Sequence, residues 1–176
     1  MILPKNNFLK WFRACGNMFF AFSILIIIVT GCSTYGLSLQ SFFVESGVMQ
    51  YFIPPTQWKG KNASAIPDFT FRQSNLNGGA VCNVTFTLKK HHPRTVNSVM
   101  FIADACEYAI QEISPMFREH SAKSIRVSMR INEEHFIQIL ASKSLKIFAV
   151  IDDLEYEFYP SMVFMRNKNE LYENIF

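Results

Sequence analysis

Ile102-Ala103-Asp104-Ala105-Cys106-Glu107-Tyr108-Ala109-Ile110 admits two folds. Val99, Ile102, Cys106 and Ala109 recur at roughly helical spacing, which would make residues 97–111 a helix. Read instead as two strands, 99–103 and 107–113, the chain turns at Asp104, a residue type suited to tight turns. A second stretch decides between them. Val150-Ile151-Asp152-Asp153-Leu154-Glu155-Tyr156-Glu157-Phe158 aligns on the first without a gap, at an offset of 48 residues. Asp, Glu and Tyr coincide, and the apolar positions match around them. The second copy sits between strand-like runs, 145–151 and 154–159, that flank Asp152-Asp153, with Pro160 to stop them. A hairpin turning at an aspartate suits both copies.

The likeness extends further. Ile113-Ser114-Pro115-Met116-Phe117 resembles Tyr159-Pro160-Ser161-Met162-Val163-Phe164, one residue longer, and an alternating strand precedes each hairpin at a distance (80–89 and 124–131). The expectation is a duplicated unit of strand, connector and hairpin. The competing explanation is the general likeness of aromatic hairpins.

Around these units the pattern is mostly that of strands. Ile125, Val127, Met129 and Ile131 alternate with Arg126, Ser128 and Arg130, the period of a half-buried strand. Residues 68–73 and 80–89 alternate likewise and form a hairpin across 74–79, where Asn77-Gly78 can take positive φ. Residues 48–53 form a strand that Pro54-Pro55 ends, since neither proline can donate to a ladder. Residues 56–67, rich in Lys, Gly, Asn, Ser and Pro, read as a long loop around Trp58. Asn132 can cap a helix whose first turn holds Glu133 and Glu134, and Phe136, Ile139 and Leu140 give it an apolar stripe to about Ser142. A frayed helix over 169–176 closes the chain. The expected fold class is mainly β, of the α+β kind: antiparallel hairpins in a sandwich-like or curled sheet, with one short helix at about 132–142.

The 176 residues carry 17 basic and 14 acidic side chains. Three of the basic ones, Lys5, Lys10 and Arg13, lie before an apolar run at 18–30, and the remainder is balanced. A neutral domain gives no reason to expect nucleic acid. The apolar run is 13 residues long, within the roughly 7–15 of an export signal and short of the about 20 that span a bilayer as a helix. It ends in Val29-Thr30-Gly31-Cys32, which resembles the lipobox of bacterial lipoprotein precursors. The resemblance implies that Cys32 is diacylglycerylated and that the peptide before it is cut away, the new amino group being often acylated in that family, so that two or three palmitate-like chains hold the protein to the lipid bilayer. The implied organisation is a signal peptide over 1–31, a lipidated tether over 32–40 and a single globular domain over 41–176. The implied location is the cell membrane or the outer membrane, facing the periplasm or the cell surface. A plain secretory signal, or an uncleaved anchor tilted over 14–31, is the alternative.

A search for chemistry finds no Gly-rich phosphate loop, no Gly-x-Ser-x-Gly elbow and no Cys-x-x-Cys pair. The four histidines show no metal-ligand spacing, and no cofactor is expected. Lys89-Lys90-His91-His92-Pro93-Arg94 is the most basic stretch after the leader. It suits metal capture or lipid head groups in principle, but adjacent histidines on extended chain face opposite ways, and with Pro93 following it reads as a solvated loop. Asp104, Asp152, Glu107 and Glu155 are the acids best placed for glycosidase-like work, and their repetition at hairpin turns explains them better as turn formers. Asn62-Ala63-Ser64 and Asn83-Val84-Thr85 match a glycosylation sequon, which carries little meaning beside a lipobox. Cys82 and Cys106 either pair, closing a 25-residue loop, or stay free, since Cys106 aligns with the apolar Leu154. Trp58 is a candidate partner contact on the 56–67 loop, the alternative being a ring folded onto the core. Two functions follow. One is a non-catalytic envelope lipoprotein that binds a protein partner; the other is an envelope hydrolase whose site no motif marks.

Overall fold

The computed structural model describes residues 38–45, 47–73, 79–117 and 123–176. The leader 1–31, most of the tether including Cys32, and the turn over 74–78 lie outside the described residues. Eleven strands form one antiparallel sheet: β1 (Gln40–Glu45), β2 (Val48–Ile53), β3 (Trp58–Gly60), β4 (Ala63–Gln73), β5 (Gly79–Leu88), β6 (Val96–Ala103), β7 (Cys106–Ala109), β8 (Ile113–Phe117), β9 (Ser124–Asn132), β10 (Leu145–Ile151) and β11 (Leu154–Tyr159). Their order is β7-β6-β10-β11-β3-β4-β5-β9-β8, with β2 also on β4 and β1 on β2. The sheet curls into a half-barrel. Among the described residues two helices, α1 (Glu133–Ala141) and α2 (Met162–Ile175), complete the core. No helix among the described residues is long and apolar enough to cross a membrane.

Period-2 alternation builds the core face. Ala80, Cys82, Val84, Phe86 and Leu88 on β5 are buried, as are Ile125, Val127, Met129 and Ile131 on β9, and Leu145, Ile147, Ala149 and Ile151 on β10. Phe136 and Phe164 bring the helices onto this face. The Phe69 ring lies 5.9 Å from Phe101, 6.1 Å from Phe136 and 5.4 Å from Phe164, so one strand residue joins a distant strand and both helices. Helix α1 begins as its sequence dictates: the Asn132 side-chain oxygen accepts from the His135 N–H at 2.7 Å, with Glu133 and Glu134 in the first turn.

Both Asp-centred stretches are hairpins, β6–β7 and β10–β11, and not helices. Asp104 turns the first at φ 53°, and Asp152 and Asp153 turn the second at 50° and 61°. Each turn is fastened to the other unit. The Asp104 N–H donates to the Ser144 carbonyl at 2.9 Å, and its carboxylate accepts the N–H groups of Lys143 and Ser144 just before β10. The Asp152 N–H donates to the Thr95 carbonyl at 3.0 Å, and its carboxylate accepts the N–H groups of Arg94 and Thr95 just before β6. The likeness stops after the hairpins: 113–117 is strand β8 on β9, whereas its counterpart runs into α2.

Three expectations are corrected. Residues 56–67 are not a long loop; they form β3, a turn at Lys61-Asn62 with Asn62 at φ 59°, and the first half of β4. Pro67 is tolerated inside β4 because its missing N–H falls where that edge is unpaired, between β3 on 63–65 and β2 on 69–73. The strand β1 starts at Gln40, where a tether was expected. The last helix starts at Met162, not near 169, because Ser161 caps it by accepting from the Phe164 N–H at 3.2 Å. Its polar middle is not a break: Lys168 is buried and its ammonium donates to the carbonyls of Leu140 and Ser142, the latter at 2.8 Å. It thereby satisfies the carboxyl end of α1.

Candidate partner-binding surface

The residues singled out in the sequence do not converge. Trp58 has no exposed surface: it sits on β3 with its ring edge-on to Phe164 at 4.8 Å, and so it belongs to the core and is no partner contact. Its misreading follows from the missed strand, since alternation is not legible over three residues. Cys82 and Cys106 are free, and the disulfide is not formed. Cys82 is buried on β5 and Cys106 is exposed on β7, at distant places in the strand order. Burial pushes the Cys82 thiol well up, with the Asp68 carboxylate adding to it, so it is an inert core thiol. Among the described residues no group of His, Cys, Asp and Glu has the makings of a metal site.

Asp104 and Asp152 are occupied in their turns by backbone N–H groups, as turn formers would be. Asp68 is buried on the outer face, where it pairs with Arg126 at 2.6 Å and accepts from the Asn83 amide at 2.9 Å. Arg126 donates onward to Thr85 at 2.9 Å. This network ties β4, β5 and β9 together across the face that does not meet the helices.

The basic loop after β5 gains neighbours that its sequence could not announce. The Lys89 N–H donates to the Asn62 carbonyl at 3.0 Å, which places the loop beside the β3–β4 turn and Lys61. The pairing of β3 with β11 then brings Tyr156 and Tyr159 alongside. Two clefts share Lys90 and His91. One, of about 500 Å³, is lined also by Lys61, Leu154, Glu155 and Tyr156. The other, of about 750 Å³, is lined also by His92, Arg94, Asn97 and Asp153. The Tyr156 hydroxyl lies 3.4 Å from His91 Nε2. Burial, and then the Asp152 charge, raise the Tyr156 phenol.

Most carboxylates here are already engaged. Asp152 is held by backbone N–H groups, and Asp153 accepts from the Asn97 amide at 3.2 Å. Glu157 accepts from Lys146 and from the Tyr159 hydroxyl, both at 2.7 Å, and these hydrogen bonds hold its carboxyl below the usual range. Among the described residues no ion pair involves Lys61, Lys90 or Arg94. Bonds to neutral donors leave the charges of Asp152 and Asp153 in place, so this surface is of mixed charge: Lys61, Lys90 and Arg94 stand beside Asp152, Asp153 and Glu155, interleaved with Leu154 and Tyr159, each about half exposed. A larger cleft of about 980 Å³ opens at the other end of β4 and β5, between Arg72, Arg130, His135 and the 109–112 connection.

No protein-family model, no curated protein and no solved structure matches this chain.

Proposed function

We propose that this chain is a bacterial lipoprotein, held in the cell envelope by acyl chains on Cys32, whose globular domain binds an envelope protein partner and is not catalytic. The lipobox-like Val29-Thr30-Gly31-Cys32 supports the anchor. Two or three acyl chains give the stable attachment that a single chain does not.

The observation that carries the binding reading is the gathering of Lys61, Lys90, His91, His92 and Arg94 beside Tyr156, Leu154 and Tyr159 in two adjoining clefts. Charges of both signs around exposed apolar anchors suit a protein surface of complementary pattern, through charge pairing that fixes register and through burial of the aromatics. The surface sits at the Lys61–Asn62 end of β4, whereas β1 and β2 flank its Gln73 end. Eleven residues of strand place these ends up to about 36 Å apart. The candidate surface thus lies at the end of β4 opposite the tip of the β1–β2 hairpin.

The test is in-cell crosslinking of the full chain, comparing the natural sequence with a Lys61→Glu, Lys90→Glu, Arg94→Glu variant. Discrete adducts should be lost in the variant while its thermal melt is unchanged. Adducts that persist contradict this surface. Substrate turnover by the purified chain, abolished by His91→Ala, would replace the binding reading with an enzymatic one.

A further inference from the structure

The strand β1 is the least protected element of the sheet. Among the described residues it pairs with β2 alone, and no strand lies on its other edge. Phe42 is 49% exposed, Phe43 80% and Val44 43%, so both faces of the strand present apolar side chains to solvent. Phe42 pairs in register with Gln50 and Phe43 with Met49, which puts the two rings on opposite faces. A long apolar edge strand in water is a liability that proteins usually blunt with charge. Here the only charge is Glu45, at the tip of the hairpin.

That absence of charge is part of a longer pattern. Between Arg13 and Lys59 the sequence has a single ionisable Asp, Glu, Lys, Arg or His, which is Glu45. The apolar segment, the link and β1 as far as Val44 thus form one uncharged run. Phe42 follows Cys32 by ten residues, a reach of at most about 36 Å even if fully extended. A second copy of the chain or a partner strand would also cover β1, but neither accounts for a run that keeps charge away from the entire approach to the anchor. A lipid surface does.

We propose that β1 lies in the bilayer interface, with Phe42, Phe43 and Val44 immersed among head groups and upper acyl chains. This rests on the lipid-anchor reading of Cys32. The depth is limited to the outer 5–10 Å or so, where water still reaches the unpaired N–H and C=O groups of the strand edge, since an open edge is not tolerated deeper. The immersed hairpin fixes the orientation of the domain. The Gln73–Gly79–Asn132 end faces the bilayer, and the Lys61–Lys90–His91 surface faces away from it.

The experiment uses the full chain, purified as the lipidated protein and reconstituted into vesicles of phosphatidylethanolamine and phosphatidylglycerol. Phe43→Trp and, on the exposed part of β8, Met116→Trp are compared, with the buried Trp58 as a constant background. Some vesicles carry phospholipid brominated on the upper acyl chain. The Phe43→Trp chain should emit to the blue and lose most of the added emission to bromine, while Met116→Trp loses none. If the chain floats with the vesicles but Phe43→Trp is not quenched, β1 is not in lipid, although the anchor stands. A blue shift without quenching that grows with protein density assigns β1 to a second copy and overturns the proposal. A chain that does not float removes the anchor and this proposal together.

Discussion

Met100 and Phe148 stand opposite each other in the ladder between β6 and β10, and they are also 48 residues apart, the offset that superposes the two Asp-centred stretches. A residue that pairs with its own repeat equivalent marks a local two-fold axis. The hairpins β6–β7 and β10–β11 are related by it, and so are the reciprocal fastenings of Asp104 before β10 and Asp152 before β6. A general likeness of aromatic hairpins does not require the register to coincide with the sequence offset. A duplicated unit that packs about a two-fold axis accounts for the coincidence.

The two aspartates should therefore be matched in effect. Asp104→Ala and Asp152→Ala should each lower the melting temperature, and the double variant should melt lower than either. The Asp104 carboxyl is held below its usual value, chiefly by the Ser144 backbone N–H. Its contribution is then fully present above about pH 4 and is lost as the pH falls through the lowered folded value. Melts followed from neutral to about pH 2 should fall less steeply for Asp104→Asn than for the natural chain. An identical acid slope would show that the turn does not use the charge.

Gly60 is required for a different reason. A Cβ there would lie 2.5 Å from the Glu157 carbonyl oxygen and 3.0 Å from the Phe158 ring, because β3 and β11 pass closely at this point. Gly60→Ala should cost about 1–3 kcal/mol in a urea titration. A neutral result would mean that β3 and β11 are not paired as described.

Lys168 serves as a cap inside the core. Replacing it with Met leaves the Leu140 and Ser142 carbonyls without their donor and should cost about 1–3 kcal/mol. Burial lowers the ammonium's pKa in the folded chain, so at alkaline pH the unfolded chain binds more protons there. Its contribution to stability should rise as the pH climbs from the folded value toward 10.5. Lys168→Met should lack that rise, as read from denaturant midpoints across the alkaline range.

The two cysteines of the domain differ in access. A maleimide applied to the folded, unreduced chain should label Cys106 and spare Cys82, and denaturation without reductant should expose both. Peptide mass spectrometry reads the labels. A Cys82–Cys106 linked peptide would contradict their placement on β5 and β7.

Where one face of an element is buried and the other wet, the sequence showed it. Alternation revealed the second half of β4, β5 and β9, the apolar runs around Asp152-Asp153 revealed β10 and β11, and Asn132 revealed the start of α1. It failed where that contrast is absent. Strand β1 is apolar on both faces and buries neither, so no period marks it. Pro67 suggests a break, and only the gap between β2 and β3 makes it harmless. In α2 the run Arg166-Asn167-Lys168-Asn169-Glu170 looks solvent-facing, yet Asn167 and Lys168 are buried against the end of α1. The candidate surface was half legible. The basic loop is plain in the sequence, but Lys61, Leu154 and Tyr156 join it only through the pairing of β3 with β4 and β11, which local sequence does not encode.

The measurement that bears most directly on the account is the mass of the amino-terminal peptide of the protein extracted from bacterial membranes. The mature chain should begin at Cys32 with a diacylglyceryl group on its sulfur, whether or not the amino group carries a third acyl chain. A chain that begins at any other residue, or at an unmodified Cys32, would contradict the account.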